Sequence, residues 1–408
     1  MNIYISGISG TGMGPLALMA KAAGLNVCGS DLAEGAIYSE LEKAGIEIKI
    51  GEQNGEFLQE KLKEGIDWFV YTSALSKDHP ELRMAEESGI KCTKRDELTA
   101  FLVEKLGLKM VAVAGTHGKT TTTAMIVWAA LKLGLPVSYI VGTTLGFAKS
   151  GSYKKGDKYF VYEADEYDRN FLKYHPWLSV IPVVSYDHPD IYPTKEDYLA
   201  AFSQFEAQSE QVIKEGVKAK FGLAGEVRRQ DAALAVAAIE QMIKDEGSSY
   251  DLAELVKILD EFPGVGRRFE RISDGVYSDY AHHPEEITAT IEIAREECER
   301  LHKKGVVVIY QPHQNTRQYE VRDQYYGAFE GADKIYWLPT YLTRENPDLP
   351  VLKPSELAGG LKNQEIVSLA ILSPGLKKAI EKDLAEGYIV VLMTAGPADG
   401  WLKNNFRE

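Results

Sequence analysis

The sequence predicts an α/β protein of three domains, each built on a mainly parallel sheet. Short apolar runs alternate with helix-compatible stretches along the whole chain, which is the pattern of βαβ units. The series restarts twice, setting domains at 1–105, 106–268 and 269–408. At 408 residues the chain is also longer than one ordinary core serves.

In the first domain, residues 3–6 read as a strand, 13–23 as a helix and 25–28 as a second strand. A helix over 38–44 and a strand over 68–72 follow. The central domain opens with strand 110–114, a glycine-bearing turn and a helix ending near Leu133. Strands 159–163 and 178–184 come next, then helices over 195–206 and 230–243, the latter with apolar residues at helical spacing. Past Gly264, strands are expected at 276–280, 306–311, 334–338 and 388–393, with helices between.

Composition narrows the function classes. Hydrophobic content of 45% and charged content of 26% describe an ordinary soluble protein. A net charge of −14 argues against nucleic-acid binding, so an anionic substrate needs locally concentrated Lys and Arg. No apolar run reaches membrane-span length. The chain starts with a strand-like segment rather than a leader, and Cys28, Cys92 and Cys298 are scattered. We therefore expect a cytoplasmic protein with reduced thiols, monomeric or homodimeric.

The chemistry concentrates where strands end. Gly115-Thr116-His117-Gly118-Lys119-Thr120-Thr121 joins a strand to a helix. Glycines let backbone N–H groups close on phosphate, and the helix N-terminus favours the anion. Lys119 suits the β- and γ-phosphates, and the Thr120 or Thr121 hydroxyl suits Mg²⁺. The spacing is the shorter G-x-x-G-K-T form, because Val113 stands where a longer loop has glycine. A strand–turn–helix with a chance Gly-Lys-Thr is the alternative. A second glycine-rich turn covers residues 7–14, with Asp31 downstream and Ser9 where a further glycine is expected. It is either a tight turn or a nucleotide diphosphate site holding Gly10, Thr11, Gly12 and Met13, and it does not imply NAD.

Glu163 heads the acidic run Asp165-Glu166-Tyr167-Asp168. One strand-end carboxylate suffices for a phosphate-bridging cation, and a solvated loop is the alternative. His188, with Asp187 beside it, suits a second divalent ion or a structural hydrogen bond. Arg267 and Arg268 offer a phosphate clamp or a solvated surface turn. His282 and His283 precede a long helix, and one of them caps or packs. His313 and Arg317 follow a buried-looking strand, and Arg317 suits a carboxylate or phosphate.

With these residues in place, the chain resembles the Mur ligase family. The matching stretches, in family order, are GISGTGMG with a later GSD, ALSKDHPEL, AGTHGKTTTT, EADEYDRNFL, the Asp187–His188 pair, FPGVGRRFE, DYAHHPEEI and QPHQNTR. The resemblance implies Rossmann-like first and last domains around a P-loop ATPase-like centre. It implies ATP and Mg²⁺ as cofactors and a carboxylate–amine ligation through an acyl phosphate. UDP-N-acetylmuramate and L-alanine are the implied substrates, with a murein tripeptide as the alternative acceptor. It assigns Gly115 to Thr121 and Asp279 to the nucleotide. Thr120, Glu163 and His188 are the implied metal ligands, and Lys119, His188, Arg268, His313 and Arg317 the catalytic set. Gly10 to Met13, Asp31, Ser73, His282 and His283 are assigned to the substrate.

Departures from the family stand beside it. The stretch between His188 and Gly225 is short, so the central domain reads as trimmed. The adenine segment, His-Asn-x-x-Asn in the family, reads Val227-Arg228-x-x-Asp231. Asn offers adenine a donor and an acceptor, Asp only acceptors and Arg only donors, which leaves the preferred nucleotide open. Gln314 replaces a usual arginine, and Glu52 a histidine of the uridine region. A non-catalytic nucleotide-binding relative and a nicotinamide oxidoreductase are the competing classes. The metal-bridged phosphate residues oppose the first, and the second phosphate loop opposes the other.

Overall fold

The structure, a computed structural model, describes residues 1–35, 37–72, 75–188, 191–343 and 345–407. It contains three sheets. The first joins β1 (Asn2–Ser6), β2 (Asn26–Asp31), β3 (Glu47–Ile50), β4 (Trp68–Tyr71) and β5 (Lys91–Lys94) in the order β3-β2-β1-β4-β5, all parallel. The second contains β6 (Lys109–Val113), β7 (Val137–Ile140), β8 (Gly151–Ser152), β9 (Tyr159–Glu163), β10 (Leu178–Val180) and β11 (Val212–Ile213). Its order is β11-β10-β6-β9-β7-β8, and only β8 runs antiparallel. The third comprises β12 (Glu270–Ser273), β13 (Val276–Asp279), β14 (Gly305–Gln311), β15 (Lys334–Trp337), β16 (Val367–Leu369) and β17 (Tyr388–Thr394). Its order is β12-β13-β17-β14-β15-β16, antiparallel only at β12.

The chain divides into two compact units. One holds 1–219 with 231–262, and the other holds 220–230 with 263–408. The first unit carries two sheets over a shared apolar core that includes Ile3, Ile5, Leu98, Met110, Phe160 and Phe171. In the second unit, β14 is buried on both faces. Val306, Val308 and Tyr310 join one core, while Val307 and Ile309 join the opposite one. That period of two explains the continuous apolar run which marked this strand in the sequence.

A parallel sheet directs its strand C-termini to one edge, where loops carry chemistry. Among the described residues, seven non-glycine residues have positive φ, and six lie in polar segments singled out from the sequence: Asp168, Arg169, His188, Arg267, Phe269 and Gln314. Positive φ at non-glycine residues is costly and collects at functional segments in proteins generally. No helix among the described residues is long and apolar enough to cross a membrane.

Candidate active site

In the first unit, β6 delivers the phosphate loop and the helix Lys119–Lys132 continues from it. Two glycines make the turn possible. Gly118 sits at φ 83°, and a Cβ there would lie 2.6 Å from Asp231 Oδ1 and 3.0 Å from Pro182 Cβ. A Cβ on Gly115 would lie 2.8 Å from the Val183 carbonyl. The Thr116 side chain fixes the loop from below, donating to the Ser185 carbonyl at 2.6 Å and accepting from the Ser185 N–H at 2.9 Å. The amides of Gly118, Lys119, Thr120 and Thr121 donate to nothing among the described residues. Those free N–H groups, with the half-buried hydroxyls of Thr120 and Thr121, fit a phosphate chain with its hard cation.

Lys119 is held inside the loop. Its ammonium donates to the Gly115 carbonyl and to both oxygens of Glu166, at 3.0 and 2.7 Å. Glu166 is 1% exposed. Burial works against charge on both partners, yet each keeps the other ionised: the lysine pKa is raised and the carboxyl pKa is lowered. His188 Nε2 lies 3.6 Å from Glu166 Oε1 and 3.6 Å from Asp187 Oδ2. Burial would lower the imidazole pKa, but the two carboxylates outweigh it and raise it. Glu163 ends β9 in register with Val113, the last residue of β6, and its Oε2 packs against Gly142. Lys119, Glu163 and His188 thus share one sheet edge. Glu166, which joins two of them, received no role from the sequence. The acidic run was its only signal, and sequence does not tell which carboxylate of a run turns inward.

The glycine-rich turn follows β1. Asp31 braces it, accepting from the Ser9 and Leu32 amides at 2.8 Å each. Gly10 and Thr11 are exposed, Gly12 is half-buried, and Met13 is buried and opens the helix Met13–Ala22. Ser73 lies outside the described residues.

In the second unit, the C-terminal ends of β13, β17 and β14 lie side by side. Asp279 ends β13. Its oxygens accept from the Phe269 and Ala281 amides at 2.6 and 2.7 Å, so the carboxylate shapes this turn. Burial raises its pKa against the pull of Arg268. The two arginines differ. Arg267 is anchored, donating to the Thr394 carbonyl at 2.7 Å, whereas Arg268 meets Tyr280 only through its ring face at 5.1 Å. His282 Nδ1 lies 3.0 Å from the Tyr280 carbonyl, and its Nε2 meets Arg317. The His282 and His313 rings meet edge-on at 5.7 Å, which brings His282, His313 and Arg317 together. His283 caps the helix Pro284–Arg300 in a reciprocal arrangement with Glu286.

Family models match in chain order: "Mur ligase family, catalytic domain" over 2–105, "Mur ligase middle domain" over 113–218, and "Mur ligase, glutamate ligase domain" over 267–396. The chain belongs to the Mur ligase family. Its members are ATP-dependent enzymes that form amide bonds, and this chain is such a ligase. A relative from Syntrophomonas wolfei, named UDP-N-acetylmuramate–L-alanine ligase, is 32% identical across 81% of this chain and 80% of its own. One of the same name from Lactobacillus delbrueckii is 29% identical across 97% and 95%. That alignment runs over 452 positions, more than this chain has residues, so the relative carries extra segments. The solved UDP-N-acetylmuramate-alanine ligase of Thermotoga maritima superposes with a TM-score of 0.76 at 25% identity, covering 100% of this chain and 98% of its own. A murein peptide ligase of Psychrobacter arcticus shares the fold, with a TM-score of 0.60 at 22% identity over 99% and 98%.

Among the departures from the Mur ligase pattern, Asp231 finds a physical use. Asp231 is 3% exposed and accepts from Thr122 Oγ1 at 3.0 Å, behind the phosphate loop. Beside Arg228, Arg229 makes a two-pronged bond to Glu296 at 2.8 and 3.1 Å. Glu52 lines a cavity of about 260 Å³ with Lys49, Asn54 and Phe57. Gln314 takes a positive φ of 60° at the start of the helix Asn315–Val321.

Proposed function

We propose that this Mur ligase joins L-alanine to the carboxylate of UDP-N-acetylmuramate in peptidoglycan precursor synthesis, consuming ATP with Mg²⁺ through an acyl phosphate. The observation that carries the proposal is Lys119 in a loop of free amides, flanked by Glu163 and His188 on one sheet edge. Relatives that match along most of this chain and of their own bear the name of that reaction. Residues 1–105 hold the UDP-substrate, with Gly10 to Met13, Asp31 and Ser73. Residues 106–268 hold ATP, and 269–408 bring the acceptor amine with His282, His283, His313 and Arg317. Arg268 and Asp279 serve the nucleotide. The enzyme works in the cytoplasm as a monomer or homodimer.

The chemistry asks for these groups. A carboxylate is a poor acyl donor because oxide is a poor leaving group, and phosphorylation supplies a good one. Two anions must meet, so Lys119 cancels part of their repulsion while the loop amides orient the γ-phosphate. Thr120, Glu163 and His188 would hold Mg²⁺, which neutralises phosphate charge when bound. The amine then attacks the acyl phosphate, forming the amide bond and releasing phosphate.

Phosphate release from ATP and Mg²⁺ with UDP-N-acetylmuramate tests this, comparing L-alanine, other amino acids and the murein tripeptide. Release that needs L-alanine and disappears in Lys119→Ala is expected. Release with the tripeptide alone would move the enzyme to recycling. No release with any acceptor, from folded protein that binds the UDP-sugar, would overturn the reaction.

A further inference from the structure

Arg95 opens the helix Arg95–Leu106 just after β5. Its guanidinium lies against the glycine-rich turn: a Cβ on Gly12 would stand 2.6 Å from Nη1. The nearest ion-pair contact is long, 3.9 Å from Nε to Asp96 Oδ1, and the side chain is 34% exposed. Its N–H groups make no hydrogen bond among the described residues. Arginine carries five donors in a rigid fork, and here none of them is bonded, although Tyr162, Asp96 and Asp165 lie near enough to favour its charge. On the facing backbone, the amides of Thr11, Gly12 and Met13 also donate to nothing among the described residues. A cation and three N–H groups therefore open on the same space.

We propose that Arg95 clamps the diphosphate of the nucleoside-diphosphate sugar against the glycine-rich turn. This rests on the assignment of the first sheet to the UDP-substrate. A helix N-terminus supplies only about half a charge, which does not balance a diphosphate on a protein of net charge −14. A guanidinium supplies a full charge and grips phosphate oxygens in pairs. Gly12 gives it room, because a side chain at that position would push the guanidinium off the turn. Arg95 escaped the sequence reading because it sits at the start of an ordinary helix, outside any glycine or acidic cluster.

Calorimetric titration of UDP-N-acetylmuramate and of UDP, without ATP, tests the clamp in wild type, Arg95→Ala and Arg95→Lys. Arg95→Ala should weaken both ligands by a common factor of about 30 or more, and Arg95→Lys, which keeps charge but not the fork, should fall between. Should Arg95→Ala fail to fold, Arg95→Lys decides, with at least about fivefold weaker binding of both ligands expected. Unchanged affinity in the variants would overturn the clamp alone. Loss confined to UDP-N-acetylmuramate would overturn the diphosphate assignment in favour of the sugar's carboxylate. A wild type that binds neither ligand would overturn the UDP-substrate reading and the clamp with it.

Discussion

Gly118→Ala should destabilise the first unit through two separable effects. The backbone holds φ at 83°, and a left-handed conformation costs an L-residue about 1–2 kcal/mol. The new Cβ would lie 2.6 Å from Asp231 Oδ1, so the carboxylate must retreat and weaken its bond to Thr122. A neutral-to-charged bond of this kind contributes about 1.5–3 kcal/mol, part of which a shifted carboxylate keeps. The sum is about 2–4 kcal/mol, or about 4–16 °C in the unfolding midpoint of a unit this size. Gly134→Ala is the internal control. Gly134 has φ 67° with nothing within 4 Å of an added Cβ, so it registers the backbone effect alone. Differential scanning calorimetry of both variants, with and without ATP, reads the difference. Equal midpoints for the two would refute the crowding argument, and a Gly118→Ala shift below about 2 °C would refute both effects.

Glu166→Gln should cut turnover more than it alters UDP-sugar affinity, because it loosens Lys119 and His188 and leaves the first sheet untouched; steady-state kinetics beside sugar titration checks this. Glu81 is 1% exposed and accepts from Tyr4, Ser6 and Ser30 at 2.6, 2.6 and 2.8 Å. Glu81→Ala strands those donors and should cost at least about 3 kcal/mol in urea unfolding. Burial alone would raise the Asp245 pKa, but bonds from Lys109, Lys158 and Tyr159 outweigh it and depress the carboxyl below its ordinary range. A depressed pKa contributes stability above the unfolded value, near pH 4, that is lost as pH falls through the folded one. Asp245→Asn should therefore cost about 1 kcal/mol at pH 7, given two partly exposed lysines. Thermal midpoints of variant and wild type should begin to converge below about pH 4 and go on converging as pH falls toward the depressed folded value.

Much of the fold was legible where burial wrote itself into composition, but β7, Val-Ser-Tyr-Ile and buried at all four positions, was not. Buried strands such as β6, β9, β14 and β17 read as apolar runs, and their loaded ends marked the phosphate loop and the His282–His313 region. The edge strands were not legible. β3 is Glu-Ile-Lys-Ile and β5 is Lys-Cys-Thr-Lys, half-exposed segments whose charges mimic loops. β8 and β11 hold two residues each, too few for any period. The helix predicted over 230–243 spans Glu226–Asp245, because its first turn is stabilised by Arg229 and Glu296, a tertiary pairing no local pattern announces. Glu166 and Arg95 eluded the sequence for the same reason: their meaning lies in what they face.

Asp231 also constrains how this chain can drift. Its carboxylate sits where Gly118 lacks a side chain and where Thr122 needs an acceptor. A lineage that returned an asparagine to position 231 would keep an acceptor for Thr122 but bring an amide donor beside Gly118. A lineage that enlarged residue 118 would first have to vacate 231. A larger residue at 118 should accordingly appear only with a smaller one at 231, although 109 residues of chain separate the Thr122 hydroxyl from its acceptor.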